Sequence, residues 1–101
     1  MQRIKYYKGI VDTIRESTEF IYLIIPQGIY VIEDYELQDC KMLYMIKLPI
    51  TLTKIGKGSF LNCQSLTYVV GYRKGIMLED DSFSGCTQLS LECFDLDFVP
   101  R

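Results

Sequence analysis

Thiols are the most reactive side chains of this chain, which has four: Cys40, Cys63, Cys86 and Cys93. An even number of cysteines in 101 residues would suit two disulfides, for which three connectivities exist. The first three cysteines, however, lie 23 residues apart, twice in succession, whereas disulfide frameworks have irregular spacings. A constant spacing predicts a structural repeat in which each cysteine takes the same position as a small buried hydrophobic side chain.

Other residues that could carry chemistry give weaker signals. The chain has no histidine and no close C-x-x-C pair, so we expect no zinc site and no His-based catalysis. Gly56–Ser59 differs from a phosphate loop in the position of its lysine, and Glu79–Asp81 lacks the alternating oxygens of a calcium loop. Cys93 has acidic neighbours, which should raise the pKa of its thiol. We therefore expect no catalytic residue, no cofactor, no metal and no enzymatic activity.

Composition predicts one small globular domain. The chain is 49% hydrophobic with a formal charge of −2, which argues against both intrinsic disorder and a basic nucleic-acid-binding surface. Its apolar runs are shorter than the roughly 18 residues that a membrane span needs, and charged residues interrupt the N-terminal segment where a signal peptide would lie. We expect a water-soluble chain that binds neither nucleic acid nor membrane. Its location stays open between an intracellular protein and an excised part of a surface protein.

The spacing of the cysteines extends to apolar side chains along most of the chain. One unit begins with a short predicted strand within Leu43–Leu48, which Pro49 ends because it cannot donate to a ladder. A second extended stretch with Leu52 and Ile55 follows, and then a 3₁₀ or single helical turn at Ser59–Cys63. Stacked units would bury the recurring residues as continuous ladders. The columns read Phe20, Leu43, Leu66 and Leu89; Leu23, Ile46 and Val69; Ile29 and Leu52; Ile32, Ile55 and Leu78; Leu37, Phe60 and Phe83.

Residues 46–66 read I-x-L-P-x-x-L-x-x-I-G-x-x-x-F-x-x-C-x-x-L, which resembles the BspA-type leucine-rich repeat. The third unit departs from this pattern at Gly71, Tyr72 and Gly75. The resemblance implies an α/β leucine-rich-repeat solenoid that is mostly β, with a right-handed array of 23-residue repeats. It also implies a parallel sheet on the concave face, 3₁₀ or short helical turns elsewhere, and a role in adhesion or protein binding rather than catalysis.

We expect residues 1–101 to form a single leucine-rich-repeat domain in three parts. Residues 1–19 would be an N-terminal cap, 20–91 about three repeats, and 92–101 a C-terminal strand and tail. The cap fits either a hairpin that turns at Lys8 and Gly9 or a short helix over 9–18. Its Ile, Val, Tyr and Thr residues favour strand.

A concave face rich in tyrosine is the predicted binding surface. The face of a solvated sheet is usually polar, whereas tyrosine and methionine are enriched at interfaces. An alternative is that these residues are only good strand formers, or that a cap covers them. Ile21 is expected to flank the face, and Tyr30, Thr53 and Ile76 to form a column on the convex side. The predicted contact residues are Tyr22, Ile24, Tyr44, Met45, Lys47, Tyr68, Val70 and Leu91.

The sequence thus favours a non-enzymatic protein–protein interaction module that binds a protein partner through its concave face. One alternative is a structural, self-assembling repeat protein that associates through this face or through an uncapped end. Another is a small inhibitor of an enzyme, in which acidic turns beside an apolar face imitate a substrate.

Overall fold

The computed structural model of the chain describes residues 1–90. The predicted contact residue Leu91, the thiol of Cys93 and the predicted C-terminal strand and tail lie outside these residues. The elements follow in chain order as β1 (Gln2–Lys5), α1 (Val11–Arg15), β2 (Ile21–Ile24), β3 (Val31–Ile32), β4 (Leu43–Lys47), β5 (Lys54–Ile55), β6 (Tyr68–Val70) and β7 (Met77–Leu78).

The strands form two parallel sheets on the sides of a solenoid, as the repeat predicts. One sheet has four strands in the order β1-β2-β4-β6, and the other has three in the order β3-β5-β7. Between successive coils most paired residues are one repeat apart, such as Leu23 with Ile46 and Ile46 with Val69. Each coil therefore places the same slot of the repeat over the coil before it, and the ladders of side chains between the sheets form one core.

The predicted ladders are buried, except that Ile29, Leu78 and Leu89 are half-buried against the core and that one exchange occurs at the start of β2. Leu23, Ile46 and Val69 are at most 2% exposed, and the rings of Phe60 and Phe83 stack with their centroids 5.1 Å apart. In the column that begins with Phe20 and Leu43, the prediction for Phe20 was wrong. Phe20 is 49% exposed, and Ile21 fills the core position beside Leu43. A shift in register causes the exchange, since Ile21 pairs with Leu43 but the next residue, Tyr22, pairs with Met45.

The connection after each short strand of the three-stranded sheet is a series of turns. We count the coil that begins with β1 as the first. In the third coil the N–H groups of Ser59, Leu61 and Cys63 each donate to the carbonyl three residues earlier, the bond of a 3₁₀ turn. Left-handed residues interrupt the series at two positions per coil, so no continuous helix forms there. These positions are Tyr35, Gly58 and Asp81 in one column, and Asp39, Asn62 and Gly85 in the other.

Two glycines of the third coil allow it to lie close to the second. A Cβ on Gly56 would lie 2.7 Å from the backbone nitrogen of Asp34, so there is no room for a larger residue. Gly58 has a φ of 59°, and a Cβ there would lie 2.5 Å from Cδ1 of Tyr35. The Tyr35 ring therefore covers Gly58, and the two coils meet through backbone and ring.

The first coil is shorter than the others. Arg3 pairs with Tyr22, which is less than one repeat ahead in the sequence, whereas Tyr22 pairs with Met45, a full repeat ahead. The expected hairpin is wrong, since β1 pairs in parallel with β2, and the short helix α1 forms as well. Ile14 of α1 is fully buried, one repeat length before the equally buried Leu37. Arg15 donates from Nε to the carbonyl of Gln38 at 2.9 Å and from its guanidinium to that of Glu36 at 3.4 Å, so it pairs two carbonyl groups of the next coil.

The fourth coil departs from the pattern where its sequence does. Its turn is one residue longer, because the N–H of Ile76 donates to Arg73 where that of Leu52 donates to Pro49. Ile76 is 4% exposed and belongs to the core, so its placement on the convex surface was wrong. The Arg73 guanidinium donates to the carbonyl groups of three residues in the turn of the previous coil: Pro49, Ile50 and Leu52.

Candidate binding face

The outward side of the four-stranded sheet brings most of the predicted contact residues together. Strand register aligns them in two rows across the sheet, one at each outward position of the strands. We call the two rows, together with Phe20 and Tyr44 beside them, the sheet face. The first row is Arg3, Tyr22, Met45 and Tyr68, and the second is Lys5, Ile24, Lys47 and Val70.

Aromatic rings in contact run along one edge of the sheet face. The ring centroids of Phe20 and Tyr44 lie 5.7 Å apart, as do those of Tyr44 and Tyr68. The second pair meets edge to face, with an angle of 78° between ring planes. The Arg3 guanidinium lies 5.1 Å from the centroid of the Tyr22 ring, within the range of a cation–π contact. These contacts hold the rings in a fixed arrangement, which lowers the entropy cost of binding.

The charged residues of the sheet face all have one sign. Arg3, Lys5 and Lys47 lie on it, and β1, β2, β4 and β6 contain no Asp or Glu. The acidic residues concentrate in the turns that follow β3 and β7, such as Glu33–Asp34 and Glu79–Asp81. A chain with a net charge of −2 therefore presents a cationic, aromatic surface on one side.

The predicted contact residues differ in their exposure on this face. Tyr68 and Val70 are 39% and 40% exposed, Lys47 is exposed, and Tyr22 and Met45 are half-buried between their neighbours. Ile24 and Tyr44 are half-buried too. The expected flank residue Ile21 is fully buried, so its placement on this face was wrong.

Sequence reasoning missed Phe20, Arg3 and Lys5. A search at one constant spacing assigned Phe20 to the core, and the shorter step of the first coil hid the alignment of Arg3 and Lys5 with β2. A signal was present in β1, where the outward residues Arg3 and Lys5 flank the half-buried Ile4.

The three repeat cysteines are free thiols inside the solenoid. Cys40 and Cys63 are buried and Cys86 is half-buried. Cys63 donates to the carbonyl of Leu37 at 3.0 Å. Hydrogen bonds with the thiols of Cys40 and Cys86, together with burial, raise the pKa of Cys63 well above its ordinary value. Cys63 therefore stays protonated and unreactive in the folded chain, which suits the predicted role as a small hydrophobic residue.

The glycine turn of the third coil has no free backbone N–H groups at Gly56, Lys57 and Gly58 to offer a phosphate group. The N–H groups of Gly56 and Gly58 donate to the carbonyls of Ile32 and Asp80, and that of Lys57 donates to Oδ1 of Asp34.

Among residues 1–90, no group of three or more Cys, Asp or Glu side chains is arranged to hold a metal ion. No helix in the same range is long and apolar enough to cross a bilayer.

The sequence matches the model of one protein family, the BspA type leucine rich repeat region, in six copies over residues 7–91. The chain belongs to the BspA-type leucine-rich repeat family. Leucine-rich repeats are generally protein-interaction modules without enzymatic activity, and protein binding and adhesion are typical of this family. No curated protein and no solved structure matches the chain.

Proposed function

We propose that this leucine-rich-repeat chain is a non-enzymatic binding module and that the sheet face contacts its protein partner. The observation that supports the proposal best is the composition of this face: a contiguous set of aromatic and aliphatic side chains, three cations and no carboxylate on its strands. A parallel sheet usually has both faces covered. Among residues 1–90 no element packs over this face, and an apolar face of this composition is typical of an interaction site.

The charge of the sheet face favours a partner with an acidic surface. Arg3, Lys5 and Lys47 would attract carboxylates and speed up association, while the tyrosines and Val70 would supply the apolar area. Arg3 would serve both purposes, because it already lies over the Tyr22 ring. Binding of this kind should weaken as salt is added, since exposed charges are screened over about 8 Å at physiological ionic strength.

Charge reversal tests the proposal without removing packing. The variant with Lys5→Glu and Lys47→Glu changes two exposed residues of the sheet face and leaves the aromatic rings in place. The control with Lys41→Glu and Lys57→Glu has the same net charge, and both of its sites are exposed outside the face. With a partner captured on the wild-type chain, only the first variant should lose affinity, by tenfold or more. Equal losses in both variants would contradict the proposal.

Self-association is the second candidate function, because the chain itself carries an acidic surface. The turns with Glu33–Asp34 and Glu79–Asp81 complement the cations of the sheet face in charge. A second copy could therefore dock its turns on this face. Light scattering over a concentration series tests the idea. The wild-type chain should form oligomers, and the variant with Lys5→Glu and Lys47→Glu should remain monomeric. A strict monomer at high concentration would rule it out.

A further inference from the structure

A groove lies at the N-terminal end of the solenoid, and none of the residues of the sheet face lines it. It is an open groove of about 740 Å³ between the loop Tyr6–Gly9 and the strand β3. Apolar side chains, among them Val11, Ile25 and Ile29, line most of it.

The groove results from the short first coil. One repeat length before β3 the chain has Lys8 and Gly9, and these form a turn instead of a strand. Within residues 1–90 the four-stranded sheet therefore begins at β1 in the first coil, whereas the three-stranded sheet begins only at β3 in the second. The groove occupies the place where the first coil would have contributed a strand to the smaller sheet.

The backbone of β3 is oriented to accept such a strand. The N–H groups of Lys54 and Gly56 donate to the carbonyls of Tyr30 and Ile32, on the side of β3 that faces β5. Successive residues of a strand point their N–H and C=O groups to opposite sides. The N–H and C=O of Val31 therefore point away from β5, toward the groove. The N–H of Glu33 is on the same side and donates to Oε1 of Glu36 at 3.0 Å, where the carbonyl of a neighbouring strand would otherwise lie.

The charges around the groove are opposite to those of the sheet face. Three carboxyl groups line it, those of Glu33, Asp34 and Glu36, against the single cation of Lys8. The Glu36 carboxylate also accepts a hydrogen bond from the Tyr6 hydroxyl, which ties the loop to the second coil. Glu33 and Asp34 are exposed, although Oδ1 of Asp34 also accepts a hydrogen bond from the N–H of Lys57.

We propose that this groove binds an extended segment of a partner protein, with alternating apolar and basic residues, as a strand added to β3. The N–H and C=O groups of Val31 would form hydrogen bonds with the backbone of the segment, as in other cases where a peptide extends a sheet. Apolar side chains of the segment would enter the groove, and its Lys or Arg residues would face Glu33 and Asp34. The site is separate from the sheet face and selects the opposite charge.

A labelled peptide tests the proposal on the full chain. The probe is a fluorescein-labelled hexapeptide of alternating lysine and valine, with binding measured by fluorescence anisotropy. Glu33→Lys should lower its affinity by about fivefold, because an exposed attraction becomes a repulsion. Asp80→Lys is the control, since Asp80 is an exposed acid outside the groove. A hexapeptide with glutamate in place of lysine should bind no more tightly than the label alone.

Methylation of the peptide backbone tests strand addition itself. Two versions of the hexapeptide carry N-methyl groups on alternate residues, either on the lysines or on the valines. Only one set of N–H groups can face β3, so one version should lose about tenfold in affinity and the other should keep it. The amide of Val31 should also exchange hydrogen more slowly when the unmethylated peptide is bound.

Three results would overturn the proposal. Equal affinities of the two methylated peptides would exclude strand addition. Loss of binding in a variant with Tyr22→Ser and Tyr68→Ser, with Glu33→Lys unaffected, would place the peptide on the sheet face. Self-association of the chain that Glu33→Lys abolishes but Lys5→Glu with Lys47→Glu leaves intact would make a second copy, not a basic partner segment, the occupant of the groove.

Discussion

Replacing Gly58 by alanine should destabilise the chain for two separable reasons. The residue has a φ of 59°, and alanine costs roughly 1–2 kcal/mol in the left-handed region. The new Cβ would also overlap the Tyr35 ring, with a distance of 2.5 Å to Cδ1, and overpacking of this kind costs about 1–3 kcal/mol. The free energy of unfolding should therefore fall by about 2–5 kcal/mol, from about 5–15 kcal/mol for a chain of this size.

A double-mutant cycle separates the two contributions. Urea unfolding followed by far-UV circular dichroism gives the loss from Gly58→Ala in the wild-type chain and in a Tyr35→Ala background. Without the ring, only the conformational cost of roughly 1–2 kcal/mol should remain. Gly28→Ala is the matched control, since Gly28 also has a positive φ but a Cβ there meets no atom within 4 Å.

The cycle tests the way the coils stack, because Tyr35 and Gly58 are equivalent residues of neighbouring coils. If Gly58→Ala costs the same in both backgrounds, the Tyr35 ring does not lie over Gly58. The close packing of the first two complete coils would then be wrong.

Three other substitutions probe the ladders and their caps. Arg73→Met removes hydrogen bonds to three carbonyl groups and should lower the free energy of unfolding by about 1–3 kcal/mol in urea unfolding, with Arg73→Lys less damaging. Phe60→Ala should cost about 3–5 kcal/mol in the same assay and Phe60→Leu much less, because Leu37 fills the same slot. The pKa of Cys63 is raised in the folded chain, so above pH 9.0, the ordinary pKa of this thiol, only the unfolded chain ionises it. The free energy of unfolding should therefore fall as the pH rises past 9.0, and it should fall more in the wild type than in Cys63→Ala. Iodoacetamide should accordingly modify Cys86 before Cys63 in the folded chain, as peptide mass spectrometry would show.

The sequence predicted the ladders well because a ladder needs the same side-chain volume at each step. Phe60 and Phe83, or Ile32 and Ile55, recur one repeat apart for this reason, and the parallel sheets follow from stacking. Other recurring features were harder to find. The left-handed column contains Tyr35, Gly58 and Asp81, which share a backbone conformation but no side-chain property.

Changes of register account for most of what the sequence did not predict. A shift of one residue exchanges Phe20 and Ile21, since it moves a side chain from one side of a strand to the other. The shorter first coil brings Arg3 and Lys5 onto the sheet face and leaves the groove beside β3. A search of the sequence at one fixed period detects neither change of register.

Site-specific photocrosslinking tests the role of the sheet face most directly. A photoreactive phenylalanine replaces Val70 on the face in one protein and Met77 of β7 in another, and both positions are exposed. Met77 lies on the strand of the three-stranded sheet that is farthest from the groove beside β3. Each protein is irradiated in a native extract, and crosslinked chains are identified by mass spectrometry. We predict that Val70 yields a discrete partner with an acidic surface and that Met77 does not. Crosslinks to one partner from Met77 alone, or equally from both positions, would contradict binding through the sheet face.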